Sequence, residues 1–223
     1  MIDVLNDAGG REQLLALGVR NVPVVSKGEN YVFGQNLEDV AEFVGLQGTG
    51  HTPLPPDQLI KKWVLVLRAM QRYARQMPAE RINENVIENR QRSIRLLMHH
   101  AFRIGEAYLE SVVGGKEYAV QHANVPPKDG TFLTGPEIAA YGEEVIGRLE
   151  AWWKGLEDKT LAKKIKTYYG MQPISMVFER STWHSAQHSR QIAHVLERMG
   201  IKPDGKLTPE DLAGLPLPER LFE

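Results

Sequence analysis

The chain has 223 residues, a formal net charge of -1 and no cysteine. A nearly neutral chain has no long-range field that would draw in DNA or an anionic membrane, so we expect neither as a partner. The absence of cysteine excludes disulfides, thiolate metal sites, cysteine nucleophiles and a dithiol redox cycle carried by the protein itself. No apolar stretch approaches the ~20 residues of a membrane span and no targeting pattern is present, which predicts a cytoplasmic protein.

The first 47 residues form a small α/β block in the prediction. The expected order is helix, strand, turn, strand and helix, over residues 11–17, 22–25, 27–30, 31–33 and 37–44. Gly18 ends the first helix, and Asn36 is the predicted N-cap of the second.

This block resembles the second half of a glutaredoxin, a thioredoxin-like half-domain. The resemblance lies in Ile2-Asp3-Val4 as an entering strand, in residues 18–25 (Gly-Val-Arg-Asn-Val-Pro-Val-Val) and in Gly34 before the last helix. The first strand of that family, its cysteine motif and the helix that follows have no counterpart here.

The resemblance implies a thiol-binding role for four residues. In glutaredoxins the corresponding proline is cis and its flanking backbone pairs with the cysteine portion of glutathione, which here gives Val22 and Pro23. The γ-glutamyl end of glutathione falls on Gln35 and Asn36. A fragment of two or three strands is only marginally stable alone, so we expect it to pack against the other domain or a second protomer. A docking element that binds no glutathione is the alternative.

After a linker at 48–56, rich in Gly, Pro and Thr, the pattern becomes helical. Apolar residues recur at helical spacing in four segments, which predict helices over residues 57–76, 91–113, 136–156 and 176–199. These helices predict a mainly α fold, a four-helix bundle over residues 57–200.

Two connections and a tail complete the predicted architecture. Residues 114–134 are expected to form a long loop. Residues 157–175 are expected to connect the last two helices with one or two helical turns. The apolar tail at 201–223 is expected to wrap over the bundle or a partner chain, with one short helix at 209–212.

His184 and His188 lie four residues apart, so they share one face of the fourth predicted helix. That face also carries the apolar residues Val177, Ile192, Val195 and Met199. The pair therefore points inward, where an imidazole without a partner costs free energy. A metal ion is one suitable partner, and a buried polar network is the other.

The same reasoning applies to the neighbouring pair on the second predicted helix. His100 lies at the edge of its apolar arc, whereas His99 lies on the far side of the helix. Helical phase therefore predicts a metal site of His100, His184 and His188. The other histidines fall outside that site; we expect His51 and His122 at the surface, and His194 lies off the inward arc.

The residues around these histidines resemble the DinB/YfiT-like superfamily. The resemblance lies in His100-Ala-Phe-Arg-Ile-Gly-Glu-Ala-Tyr-Leu109 and in Thr182-Trp-His-Ser-Ala-Gln-His-Ser-Arg-Gln-Ile192. It covers residues 57–200 and the tail segment Leu215-Pro-Leu-Pro-Glu219. It implies a four-helix bundle, commonly dimeric, with a three-histidine site for Zn2+ or Ni2+. The motif is specific for the fold and the metal, not for the reaction.

The resemblance and the glutaredoxin-like block together favour a metal-dependent transferase that joins a small thiol, with glutathione as the candidate, to a small electrophile. The expected protein is a homodimer. A non-catalytic metal- or ligand-binding bundle, with the N-terminal fragment serving dimerisation, is the alternative, and a metal-dependent hydrolase is the third. Gln191 lies on the inward arc and is expected to contact the ligand or a histidine, unless it is simply packed or reaches solvent.

Overall fold

The computed structural model describes residues 2, 4, 7–48, 50–87 and 91–222. The chain separates into two compact units, residues 1–52 and 53–223, and this division falls inside the predicted linker. Within the described residues the fold is mainly helical, with eight helices and two small antiparallel sheets. None of the described helices has both the length and the apolar character needed to cross a membrane.

The first unit contains two helices and a two-stranded sheet. Its elements are α1 (Ala8–Ala16), β1 (Val24–Lys27), β2 (Asn30–Phe33) and α2 (Leu37–Phe43). The strands are antiparallel, with Val24 opposite Phe33. As predicted, Asn36 caps α2, and its side-chain oxygen accepts hydrogen bonds from the backbone N–H groups of Glu38 and Asp39.

Three details of the first unit differ from the prediction. Helix α1 begins earlier than expected, because the Asp7 carboxylate accepts a hydrogen bond from the N–H of Gly10 and caps it there. Strand β1 begins two residues later than expected, after the cis peptide bond between Val22 and Pro23. Of the predicted strand at 2–4, residue 3 lies outside the described residues and the other two are not in a strand.

The second unit is built on four long helices. Its elements are α3 (Pro56–Gln76), α4 (Ile94–Val112), α5 (Val120–Ala123), α6 (Gly135–Gly155), β3 (Lys164–Thr167), β4 (Gly170–Pro173), α7 (Ile174–Arg198) and α8 (Pro209–Leu212). Helices α3 and α4 each pack along both α6 and α7. Between them the buried rings of Trp63, Tyr108 and Phe178 meet, with the Trp63 ring centre 5.4 Å from that of Tyr108 and 5.5 Å from that of Phe178.

Glycines allow α4 and α6 to approach closely. A Cβ atom on Gly142 would lie 2.5 Å from the ring of Phe102, and one on Gly105 would lie 2.9 Å from Val145. Both distances are shorter than van der Waals contact, so the packing at this crossing requires residues without side chains.

Residues 157–175 contain a β-hairpin, so the expected helical turns are wrong. Strands β3 and β4 are antiparallel, with Thr167 opposite Gly170 across a two-residue turn. Gly170 has a φ of 107°, which L-residues with side chains rarely adopt. The hydroxyl of Thr167 donates to the Gly170 carbonyl and closes the turn. The predicted loop at 114–134 likewise contains the short helix α5.

The tail after α7 packs on its own chain. The Lys62 ammonium on α3 donates to the carbonyls of Glu210 and Asp211, at 3.1 and 2.8 Å. The amide of Gln187 on α7 donates to the Leu221 carbonyl at 2.7 Å. These bonds hold the tail over α3 and α7, beside the histidine-bearing face of α7.

Candidate metal centre

Three histidines meet between α4 and α7. His100 comes from α4, and His184 and His188 come from successive turns of α7. The ring centres lie 5.3 Å apart for His100 and His184, 5.1 Å for His100 and His188, and 4.7 Å for His184 and His188. One ring nitrogen from each residue lies within 4.8 Å of the other two. The three imidazoles are therefore close enough to hold one metal ion.

The cluster leaves two buried nitrogens without a hydrogen-bond partner, Nδ1 of His184 and Nε2 of His188. His100 and His188 are only 5% and 6% exposed, so water does not easily replace the missing partners. A buried polar atom left unpaired costs about 1–3 kcal/mol. Nitrogen lone pairs that converge from three imidazoles fit a divalent ion, which removes this cost.

Hydrogen bonds at the opposite nitrogens set the tautomers of two of the rings. Nδ1 of His100 lies 2.8 Å from the carbonyl oxygen of Ala123, and Nδ1 of His188 lies 2.8 Å from Oε1 of Gln191. Because a carbonyl oxygen can only accept, each Nδ1 carries the proton and donates it. The Nε2 lone pairs of His100 and His188 are then free to bind a metal.

Gln191 is held in the orientation that this role requires. Its amide nitrogen donates to the backbone carbonyl of Leu221 at 2.8 Å, which turns the amide oxygen toward His188. The structure thus places Gln191 against a histidine of the cluster, one of the positions expected from its helical phase. The bond to Leu221 also connects the tail to the cluster.

Burial keeps the three histidines in their neutral form. It lowers the pKa of His188 to about 4, and it lowers the pKa values of His100 and His184 well below the usual value. For His100 and His184, a proton on neighbouring His188 would lower the pKa further, because like charges repel. A neutral imidazole is the form that binds a metal, so the metal-free cluster is already in the ligand form near pH 7.

The remaining histidines lie outside the cluster. His99 is not part of the cluster, as predicted, but the expected position on the far side of the helix, away from the apolar residues, is wrong: His99 is buried and stacks on Tyr141 with ring centres 5.2 Å apart. His122, expected at the surface, is half-buried and donates from Nδ1 to the Glu117 carbonyl. His51, also expected at the surface, is half-buried. His194 packs its half-buried ring against Phe222.

The four residues implied in thiol binding lie together in the first unit. Gln35 donates from its amide nitrogen to the Val22 carbonyl at 3.1 Å, beside the cis bond to Pro23. Val22 is 51% exposed. The side-chain oxygen of Asn36 is buried as the cap of α2, so the fold itself uses this group.

Three groups near the cluster were not identified from the sequence. The Ala123 carbonyl could not be identified from the sequence, because its position depends on how residues 114–134 fold back onto α4. Arg180 stands four residues before His184, a spacing that places it on the same helix face and that the sequence displays. Arg92 lies just before α4 and has no comparable signal in the sequence.

Comparison with models of known protein families and with characterised proteins found no match to this chain.

Proposed function

We propose that this protein is a metal-dependent transferase that joins a low-molecular-weight thiol to a small electrophile. The observation that carries the proposal is the convergence of three neutral imidazoles, two of them with buried nitrogens that have no other partner. We propose Zn2+ or Ni2+ as the metal, since imidazole ligands suit both. We further propose that the four long helices form a bundle of the DinB/YfiT-like superfamily and that the protein is a homodimer.

His100, His184 and His188 would hold the ion. A divalent ion held there would lower the pKa of a water or a thiol that binds to it. The chain's own contribution is orientation. The Ala123 carbonyl and the Gln191 amide keep the rings of His100 and His188 in one tautomer and one position.

The chain contains no cysteine, so the reacting sulfur has to come from a substrate. In the proposed reaction the thiol releases its proton to solvent and its sulfur lone pair forms a bond to an electrophilic carbon. The leaving group departs from that carbon with the electron pair of its former bond. We propose glutathione as the thiol, which the glutaredoxin-like residues Val22, Pro23 and Gln35 support; the side-chain oxygen of Asn36 already caps α2.

One observation favours the second candidate, a non-catalytic metal- or ligand-binding protein whose first unit serves dimerisation. The first unit exposes several apolar side chains on a small fold, namely Leu15, Val22, Leu37, Val44 and Leu46. We propose that these side chains form one continuous apolar surface, which would associate with a second copy of the chain. Light scattering tests the dimer, and Leu46→Glu is expected to weaken it.

The proposed function is tested by metal analysis and turnover of protein purified without an affinity tag. We expect about one Zn2+ or Ni2+ per chain, together with consumption of glutathione in the presence of chlorodinitrobenzene or another activated electrophile. His188→Ala should lose the metal and the turnover, while His194→Ala on the same helix should keep both. Full metal content without turnover across a panel of thiols and electrophiles would favour the binding protein. Unchanged metal content in His188→Ala would overturn the site.

A further inference from the structure

A cavity of about 590 Å3 lies between the bundle and the tail of the second unit. On the bundle side it is lined by Tyr73 of α3 and by Ser189 and Ala193 of α7, all of which are almost completely buried. The tail borders the cavity twice, within residues 206–209 and again within residues 217–221. None of the three cluster histidines lines it, so the cavity is separate from the candidate metal centre.

The tail side of the cavity is mainly apolar. Leucine and proline side chains provide it, namely Leu207, Pro209, Leu212, Leu217, Pro218 and Leu221. Water against such a wall finds few hydrogen-bond partners, so an apolar ligand that displaces this water is favoured.

The hydroxyl groups of the buried side already have partners within the chain. The Tyr73 hydroxyl accepts a hydrogen bond from the N–H of Leu207 at 3.1 Å and donates to the Gly205 carbonyl at 3.4 Å. The Ser189 hydroxyl donates to the Ser185 carbonyl at 3.0 Å. A ligand therefore does not have to supply hydrogen bonds to these groups.

Charged groups of the lining also interact within the protein. The Lys206 ammonium lies 2.6 Å from the Glu197 carboxylate. Nη1 of Arg190 donates to the side-chain oxygen of Gln187 at 2.8 Å and to the Pro218 carbonyl at 3.0 Å. Arg190 and Glu197 are seven residues apart on α7, so these two polar positions lie about 10 Å apart along the helix axis. Apolar wall occupies the length between them.

The tail is fixed where it borders the cavity. The Leu221 carbonyl accepts hydrogen bonds from the amides of Gln187 and Gln191, at 2.7 and 2.8 Å. At α8, whose Leu212 lines the cavity, the Lys62 ammonium donates to two backbone carbonyls. The walls are therefore in place before a ligand arrives, which reduces the ordering that binding requires.

We infer that this cavity binds an uncharged, apolar small molecule. Its volume lies within the range of about 300–1,000 Å3 of cavities that bind small ligands, and its mainly apolar lining is typical of them. The walls contributed by the tail leave space for a compact aromatic or aliphatic compound rather than for a folded partner. The inference does not depend on the proposed transferase activity or on the metal.

The test is a fluorescence titration of the full chain with two probes. Phenylnaphthylamine is uncharged and emits strongly in apolar surroundings, and anilinonaphthalenesulfonate has the same rings with a sulfonate added. We expect one molecule of the uncharged probe per chain, bound about tenfold more tightly than the sulfonate, because transfer of a charge to an apolar wall is unfavourable.

Two variants locate the binding. Ala193→Phe places a ring in the cavity and should abolish binding of the uncharged probe. Ala140→Phe adds the same ring at an exposed position of α6 and should bind the probe as the unaltered protein does.

Three results would overturn the inference: no saturable binding of the uncharged probe, binding of the sulfonate at least as tight, or unchanged binding in Ala193→Phe. If Ala193→Phe does not fold, Leu212→Gln replaces it. This variant changes an apolar side chain of the tail to a polar one and should weaken binding of the uncharged probe about tenfold. Unchanged binding in Leu212→Gln would then overturn the inference.

Discussion

The side-chain oxygen of Gln191 lies 2.8 Å from Nδ1 of His188. This contact fixes which nitrogen of His188 carries the proton, and a second bond from the same amide to the Leu221 carbonyl holds Gln191 in place. The orientation of a cluster histidine therefore depends on a residue that itself contacts the tail.

Replacement of Gln191 should weaken metal binding without removing it. Gln191→Leu is expected to raise the Kd for Zn2+ by about 10–100-fold, because His188 loses the acceptor that orients its ring. Competition with a chromophoric chelator measures the change. Gln187→Leu is the matched control, since Gln187 also holds the tail by hydrogen bonds to Arg220 and Leu221. An equal loss of affinity in both variants would assign the effect to the tail rather than to His188.

Removal of the metal should lower the thermal stability of the protein. Binding to the native state alone stabilises it by about 2.7 kcal/mol when the free ligand is at 100 times its Kd. For a protein of this size that corresponds to a fall in Tm of about 5–10 °C after chelation. Differential scanning calorimetry with and without a chelator measures it. His188→Ala should show no such shift, and a full shift in that variant would argue against the three-histidine site.

The metal-free protein should lose stability as the pH falls from about 6.5 toward 4. His99 and His188 have native pKa values of about 4, lowered chiefly by burial, against an unfolded value near 6.5. Between these values the unfolded chain binds protons that the native chain does not, so the stability is present above pH 6.5 and decreases below it. Each such histidine contributes up to about 1.4 kcal/mol per pH unit.

Urea unfolding of chelator-treated protein at several pH values measures this dependence. His99→Gln should show a smaller slope, because one of the contributing histidines is gone while the cluster remains. A free energy of unfolding that stays constant between pH 6.5 and 4.5 would contradict the buried, neutral state of these rings.

The glycines of α6 should respond in opposite directions to alanine. Gly142→Ala is expected to destabilise the protein by about 1–3 kcal/mol, since the new Cβ would lie 2.5 Å from the Phe102 ring. Gly147 lies in the same helix, and a Cβ added there would have no neighbour within 4 Å, so Gly147→Ala should stabilise the protein by about 0.5–1 kcal/mol. Chemical denaturation distinguishes the two; equal effects would show that α4 and α6 do not cross so closely.

Local patterns were enough to locate most of the helices. The apolar residues of α3 and α7 recur at helical spacing, and Pro56 and Gly200 lie where these helices begin and end. Helical turns were predicted between α6 and α7, but residues 164–173 form a β-hairpin. The pairing of two strands depends on contacts between them, and the sequence of a single short strand carries little signal for it.

The sequence by itself predicted the three histidines that lie close together, although it did not predict that His99 is buried as well. The four-residue spacing of His184 and His188, and the phase that separates His100 from His99, follow from the geometry of one helix. Only the tertiary structure decided that the three rings meet and which of their nitrogens remain without a hydrogen-bond partner. Those features depend on contacts between α4, α5, α7 and the tail. These contacts join residues far apart in the chain, and helical periodicity carries no information about them.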